Sequence, residues 1–130
     1  MIVDASALLA ILFEEAGSNE LKRHLATVPG PHAMSPVNYL ETAIRVDKLP
    51  VPGKARELDN LIHTADIQIV ATTTEQAHLA RQAYQLFGKG NHPARLNIGD
   101  CFAYALAKAR REPLLFKGDD FRLTDTEAAI

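Results

Sequence analysis

Apolar positions along the chain fall into short blocks separated by longer amphipathic stretches. Ile2-Val3 opens a strand, and apolar residues then continue through Ala5, Ala7, Leu8, Leu9, Ile11, Leu12 and Phe13. This second run is too long for one strand and shows no alternation, so it predicts a buried helix directly after a short strand. From Gly17-Ser18 the apolar positions Leu21, Leu25 and Val28 recur at spacings of four and three, a helical period that Pro29-Gly30-Pro31 ends.

His32-Ala33-Met34-Ser35 reads as a second short strand. Ser35-Pro36 has the chemistry of an N-cap followed by a first-turn proline, and its helix runs through Val37, Leu40 and Ile44 to the break at Pro50-Val51-Pro52-Gly53. An amphipathic segment with Ala55, Leu58, Leu61, Ile62 and Ala65 precedes the β-branched strand Ile67-Gln68-Ile69-Val70. Thr73-Thr74-Glu75-Gln76 has capping-box spacing. It opens a helix carrying Ala77, Ala80, Tyr84 and Phe87, with Gly88 as its C′ residue. A polar, basic loop from Lys89 to Asn97 leads into an Ala-rich helix, Ile98 to Arg111, with Phe102, Ala105, Leu106 and Ala109 on one stripe. Pro113 closes it, and Leu114-Leu115-Phe116 is the last strand. Short apolar strands alternating with helices predict a parallel sheet covered on both faces. The expected fold class is α/β, a three-layer α/β/α sandwich with a central parallel sheet. No repeat, low-complexity tract or linker interrupts it, so residues 1–130 read as a single domain.

Composition narrows the setting. A hydrophobic fraction of 47% and a charged fraction of 23% in 130 residues describe an ordinary globular chain. The single cysteine, Cys101, rules out an internal disulfide framework and suits a reducing cytosol. No signal-like segment precedes Ile2, and no apolar run approaches the roughly 20 residues that span a bilayer, so the expected location is the cytoplasm, with no membrane partner. A formal net charge of −2 argues against strong non-specific binding to nucleic acid. A divalent ion held by carboxylates would answer that objection, by placing positive charge where a phosphate sits.

Ligands of open parallel sheets collect beyond the carboxyl ends of the strands, and several acids fall there. Asp4 follows Ile2-Val3, Asp100 stands at the start of the late helix, and Asp119 and Asp120 follow the last strand and Gly118. Each has a structural explanation when taken alone: Asn97-x-x-Asp100 has the spacing of a cap with an acidic partner, and Asp119-Asp120 reads as a turn. Glu41 shares a helical stripe with Val37 and Ile44, where an ionised carboxylate is costly unless paired or bound to metal. An ion pair with Arg45 or Lys48 is the competing reading. Together these oxygen donors would repel one another without a cation, and an all-carboxylate set selects Mg²⁺ or Mn²⁺ over zinc. The five histidines form no zinc-spaced pair, and Cys101 stands alone.

These residues also carry a family resemblance. The opening Met-Ile-Val-Asp-Ala-Ser-Ala, Glu41 within a helix, the segment Leu96-Asn97-Ile98-Gly99-Asp100-Cys101-Phe102-Ala103-Tyr104-Ala105-Leu106-Ala107 and the segment Leu114-Leu115-Phe116-Lys117-Gly118-Asp119-Asp120-Phe121 resemble the PIN-domain ribonucleases, and among them the VapC toxins of toxin–antitoxin pairs. The resemblance covers essentially the whole chain, with the motifs in the family's order. It implies a PIN-like fold, a Mg²⁺- or Mn²⁺-dependent endoribonuclease acting on an RNA substrate, a VapB-type antitoxin as partner, and a homodimer. Matched by position, Asp4, Glu41 and Asp100 are the three main acids, and Asp119 is preferred over Asp120 as the fourth. Asp4 and Asp100 would hold the metal, Glu41 would orient or deprotonate water, and Ser6 would hydrogen-bond Asp4 or a metal-bound water. Lys89, His92 and Arg95 in the basic loop, with Lys117 and Arg122, are candidate RNA contacts, and the loop reads equally as a solvated surface; His92 is also a weak candidate acid. A phosphoaspartyl enzyme or receiver domain would want an acid where Ser6 stands. A catalytically silent PIN-like module that binds RNA or a partner is the remaining alternative, against which the intact acids count.

Overall fold

The protein, described as a computed structural model over residues 1–130, is built on four short parallel strands: β1 (Ile2–Val3), β2 (His32–Met34), β3 (Ile67–Ile69) and β4 (Leu114–Leu115). Six helices surround them: α1 (Ala5–Leu12), α2 (Ser18–Thr27), α3 (Pro36–Asp47), α4 (Lys54–Thr64), α5 (Thr74–Phe87) and α6 (Ile98–Arg110). A 3₁₀ turn (Asp120–Leu123) follows β4. The strand order is β3-β2-β1-β4, with Ile2 in register with both Ala33 and Leu114. The chain winds outward from β1 to β3 and then returns to the other side of β1. The topological switch therefore lies between β1 and β4, at the carboxyl edge where Asp4 sits.

Alternation along the strands divides the core into two layers. Ile2, Ala33, Leu114 and Phe116 pack with α5 and α6 residues such as Ala83, Ala103 and Leu106. Val3, Met34, Leu115 and Ile67 pack instead with Leu8, Leu21, Leu25, Val46 and Leu58 from the other helices. Because successive side chains point to opposite faces, β1, β2 and β4 each feed both layers, whereas β3 contributes Ile67 to one and leaves Gln68 and Ile69 exposed. That is the α/β/α sandwich expected from the sequence. The free edge of β4 is closed by the C-terminal segment, through Leu114 N–H to the Glu127 carbonyl at 2.9 Å and Ala129 N–H to the Leu114 carbonyl at 2.9 Å. No helix is long and apolar enough to cross a membrane.

Two local expectations change. The buried stripe of α3 is Asn38, Thr42 and Val46, whereas Leu40 and Ile44 are exposed and Glu41 is half-buried. The helix is rotated about one position from the face its apolar residues suggested, because α3 turns small polar side chains inward and leaves aliphatic ones on its flank. Gly88 does follow α5, but at φ −70° it is not the left-handed cap. A Cβ there would collide with the Tyr84 carbonyl, so close approach requires the glycine.

Candidate functional site

Asp4 leaves β1 and becomes the N-cap of α1, accepting from the Ser6 backbone N–H at 3.0 Å and the Ser6 hydroxyl at 2.5 Å through Oδ2. Ser6 Oγ accepts in turn from the Lys117 backbone N–H at 3.0 Å, where β4 has run past its pairing with β1. The hydroxyl thus stitches the ends of the two switch-point strands together around one carboxylate. Asp4 is only 3% exposed. Burial, and more weakly the charge of Asp120, raises its pKa, while the Ser6 hydrogen bonds pull the other way.

Glu41 reaches the same edge from α3. Ser35 starts that helix by accepting from Val37 N–H at 3.1 Å and Asn38 N–H at 3.5 Å, with Pro36 in the first turn. The Glu41 carboxylate lies against the first turn of α6, so close that a Cβ on Gly99 would stand 2.5 Å from Glu41 Oε2. Burial and then Asp4 raise its pKa, opposed by the Asn38 amide and by Arg45. The competing ion pair does not form: Glu41 has no cation within salt-bridge distance, and neither do Asp4, Asp100, Asp119 and Asp120.

Asp100 serves two readings at once. It closes the capping box of α6, its Oδ2 accepting from the Asn97 N–H at 3.0 Å while Asn97 Oδ1 accepts from the Asp100 N–H at 2.9 Å. Its pKa is nevertheless pushed up to about 7, by burial first and then by Asp4, Glu41 and Asp120, against the relief from the Asn97 N–H. Asp120 thus acts on both buried aspartates, whereas Asp119 figures in neither environment. Both residues of this pair are exposed. The acids are neighbours in charge without forming a closed chelate of three side chains.

Sequence reasoning missed Asn38. Fully buried, it donates through Nδ2 to the Gly99 carbonyl at 3.0 Å and to Asp4 Oδ1 at 3.4 Å. The only signal was a polar residue three positions before Glu41, beside the apolar stripe of Val37, Leu40 and Ile44. Several candidate RNA contacts are engaged elsewhere. Lys117 donates its ammonium to the Ala16 carbonyl. Arg122 donates to the Ile130 carbonyl at 3.2 Å and lies over the Phe116 ring. His92 Nδ1 accepts from the Ala94 N–H at 3.0 Å, and the ring packs edge-on against Phe87. Lys89 and Arg95 remain exposed on that loop, which a Gly88–Leu96 bridge closes at its base.

A parallel sheet whose switch point gathers unpaired acids from β1, α3, α6 and the turn after β4 is the architecture of a PIN domain. Residues 1–127 match that family, and the chain belongs to it. Within the family it stands with the VapC proteins: it is 50% identical over 129 residues to "Ribonuclease VapC" of Mycolicibacterium smegmatis, covering 98% of each chain. Two solved structures share the fold. The Mycobacterium tuberculosis VapC20 toxin, described as cleaving the sarcin-ricin loop, superposes with a TM-score of 0.73 at 17% identity over 96% of this chain and 95% of that one. A toxin–antitoxin complex from Klebsiella pneumoniae gives 0.68 at 19% identity, over 92% and 88% respectively.

Proposed function

We propose that this protein is a divalent-metal-dependent endoribonuclease, the toxin of a VapBC-type pair, organised as one PIN-like domain and acting in the cytoplasm. The observation that carries the reading is that Asp4, Glu41 and Asp100 meet at one sheet edge with no salt-bridge partner, where burial and the neighbouring acids push Asp100 up to about 7. Relatives of half-identical sequence named as ribonucleases support it.

The donor set fits a hard ion. All the groups are oxygens, Asp4 raises the pKa of Glu41 and Asp100 while Asp120 raises those of Asp4 and Asp100, and no lysine or arginine forms a salt bridge with them. Asp4 and Asp100 would hold Mg²⁺ or Mn²⁺, directly or through water, and Asp120 is favoured over Asp119 as the fourth acid because it acts on both. When bound, such an ion acidifies water and offsets charge on a phosphodiester. Glu41 accepts a proton from the attacking water, a role suited to a half-buried carboxylate of raised pKa. Ser6 keeps Asp4 Oδ2 oriented.

A VapB-type antitoxin is the partner the toxin–antitoxin neighbour supports. The exposed aliphatic residues Leu40, Ile44 and Ile98 support a homodimer. Labelled RNA of mixed sequence tests the whole reading. The wild type should cut it, EDTA should stop cleavage and Mn²⁺ restore it. Asp4→Asn and Asp120→Asn should each lower the rate by about a hundredfold or more, with Asp119→Asn close to wild type. Cleavage that survives EDTA, or that Asp4→Asn leaves intact, would refute the assignment.

A further inference from the structure

One polar side chain inside the site, which also hydrogen-bonds toward Glu41, is not explained by packing. Asn38 is 0% exposed on the inner face of α3. Its two amide hydrogens point at oxygens from distant segments, Asp4 Oδ1 at 3.4 Å and the Gly99 carbonyl at 3.0 Å. Its own carbonyl oxygen Oδ1 is buried with no hydrogen-bond partner. The orientation is dictated by the surroundings. Rotating the amide by half a turn would set Oδ1 against a carboxylate and a carbonyl, both acceptors. An unsatisfied buried carbonyl costs free energy. A residue chosen for stability alone would be apolar here, as most of the surrounding core is.

We propose that Asn38 is a positioning residue, which ties the Asp4 carboxylate to the first turn of α6 and thereby sets the spacing between Asp4 and Asp100. Gly99 precedes Asp100 directly, so the single Asn38 amide touches the end of β1 and the backbone that carries the second aspartate. Ser6 holds Asp4 Oδ2 and Asn38 holds Oδ1, so together they remove the rotation of the carboxylate about its own bond. Because Asp100 is already committed to Asn97 through the capping box, α6 is the rigid body and Asn38 the strut against it. Deleting a side chain that orients a ligand typically costs 10- to 100-fold in metal affinity or activity. This inference rests on Asp4 and Asp100 holding the cation.

The test separates positioning from packing with Asn38→Leu, of nearly the same volume and with no orphaned carbonyl, and Asn38→Ala as a second variant. Mn²⁺ binding by calorimetry, thermal melting in EDTA, and kcat and KM on labelled mixed-sequence RNA are the readouts. Metal-free Asn38→Leu should melt within a few degrees of wild type, while its Mn²⁺ Kd rises about tenfold and kcat falls comparably with KM within about twofold. In an Asp4→Asn background the same change should alter Mn²⁺ affinity by less than about twofold, since the amide would have no Asp4 carboxylate left to hold. Wild-type Mn²⁺ affinity and kcat in both folded Asn38 variants overturn the proposal while leaving the metal site standing. So does a loss that merely adds to that of Asp4→Asn. A wild type that binds no Mn²⁺ overturns both.

Discussion

At the scale of single residues, the site depends on what is missing as much as on what is present. Gly99 has no side chain because Glu41 occupies the space, and a Cβ would sit 2.5 Å from Oε2. The obstructing atom is the tip of a flexible side chain, not backbone, so the helix need not distort to accept a methyl group. Gly99→Ala should therefore leave the melting temperature within a few degrees of wild type. RNA cleavage should fall about tenfold or more, because a carboxylate displaced by an ångström is misplaced as a base. A variant that melts early and retains its specific activity would show that the contact serves packing. Asp100 teaches the complementary lesson. The Asn97-x-x-Asp100 spacing does form the capping box, and the same carboxylate sits among the charges of Asp4, Glu41 and Asp120.

At the scale of elements, α3 and α6 decide the architecture of the site and of the surface beside it. The helix α6 is buried nearly all round, with small residues (Gly99, Ala103, Ala105, Ala107) allowing close approach of the sheet and α5. Its first residue is the exception: Ile98 is 76% exposed. It stands as a ridge between two shallow apolar depressions, one lined by Val37, Leu40 and Ile44 from α3 and the other by Ala77, Ala80 and Tyr84 from α5. The proposed homodimer would seat this ridge at its seam, where an isologous contact pairs the same patch on both copies. Placing a charge on the ridge should dissociate such a dimer. For Ile98→Glu, sedimentation or light scattering should report a monomer with unchanged far-UV circular dichroism. A variant of wild-type mass, from a wild type that is itself dimeric, would exclude this face.

The whole molecule adds a pH dependence that no element shows by itself. Asp100 titrates near 7 in the folded chain, against an ordinary value of 3.8, and Asp4 and Glu41 are also raised. Between these limits the folded state holds protons that the unfolded state has released, so stability falls as pH rises. The Asp100 contribution is complete below about 4 and is lost as pH passes through about 7. His32 works in the opposite sense, since burial lowers its pKa and charging it at low pH disfavours the fold. Comparison with Asp100→Asn isolates the aspartate. In EDTA, the melting temperature of wild type should drop more steeply from pH 5 to 7.5 than that of the variant. Excess Mg²⁺ should flatten the wild-type profile by stabilising the charged carboxylates. Parallel profiles for the two proteins would remove Asp100 as the source.

Local patterning determined most of the frame: four strands, six helices, the Ser35, Thr73 and Asn97 caps and the parallel α/β class are all legible in short windows, because capping chemistry and hydrophobic period act over a few residues. So are Asp4 and Asp100, as acids at the ends of apolar blocks, and Glu41, as a carboxylate on a helical stripe with Val37 and Ile44. The sequence alone could not recognise Asn38 or commit Lys117 and Arg122 to structural carbonyls. Each of those depends on which groups from far-apart segments meet, and for Asn38 on a one-position rotation of α3. Long-range packing decided that rotation. Close contact with its neighbours buries the small polar Asn38 and Thr42 and leaves Leu40 and Ile44 outside, the reverse of what transfer energy per residue favours.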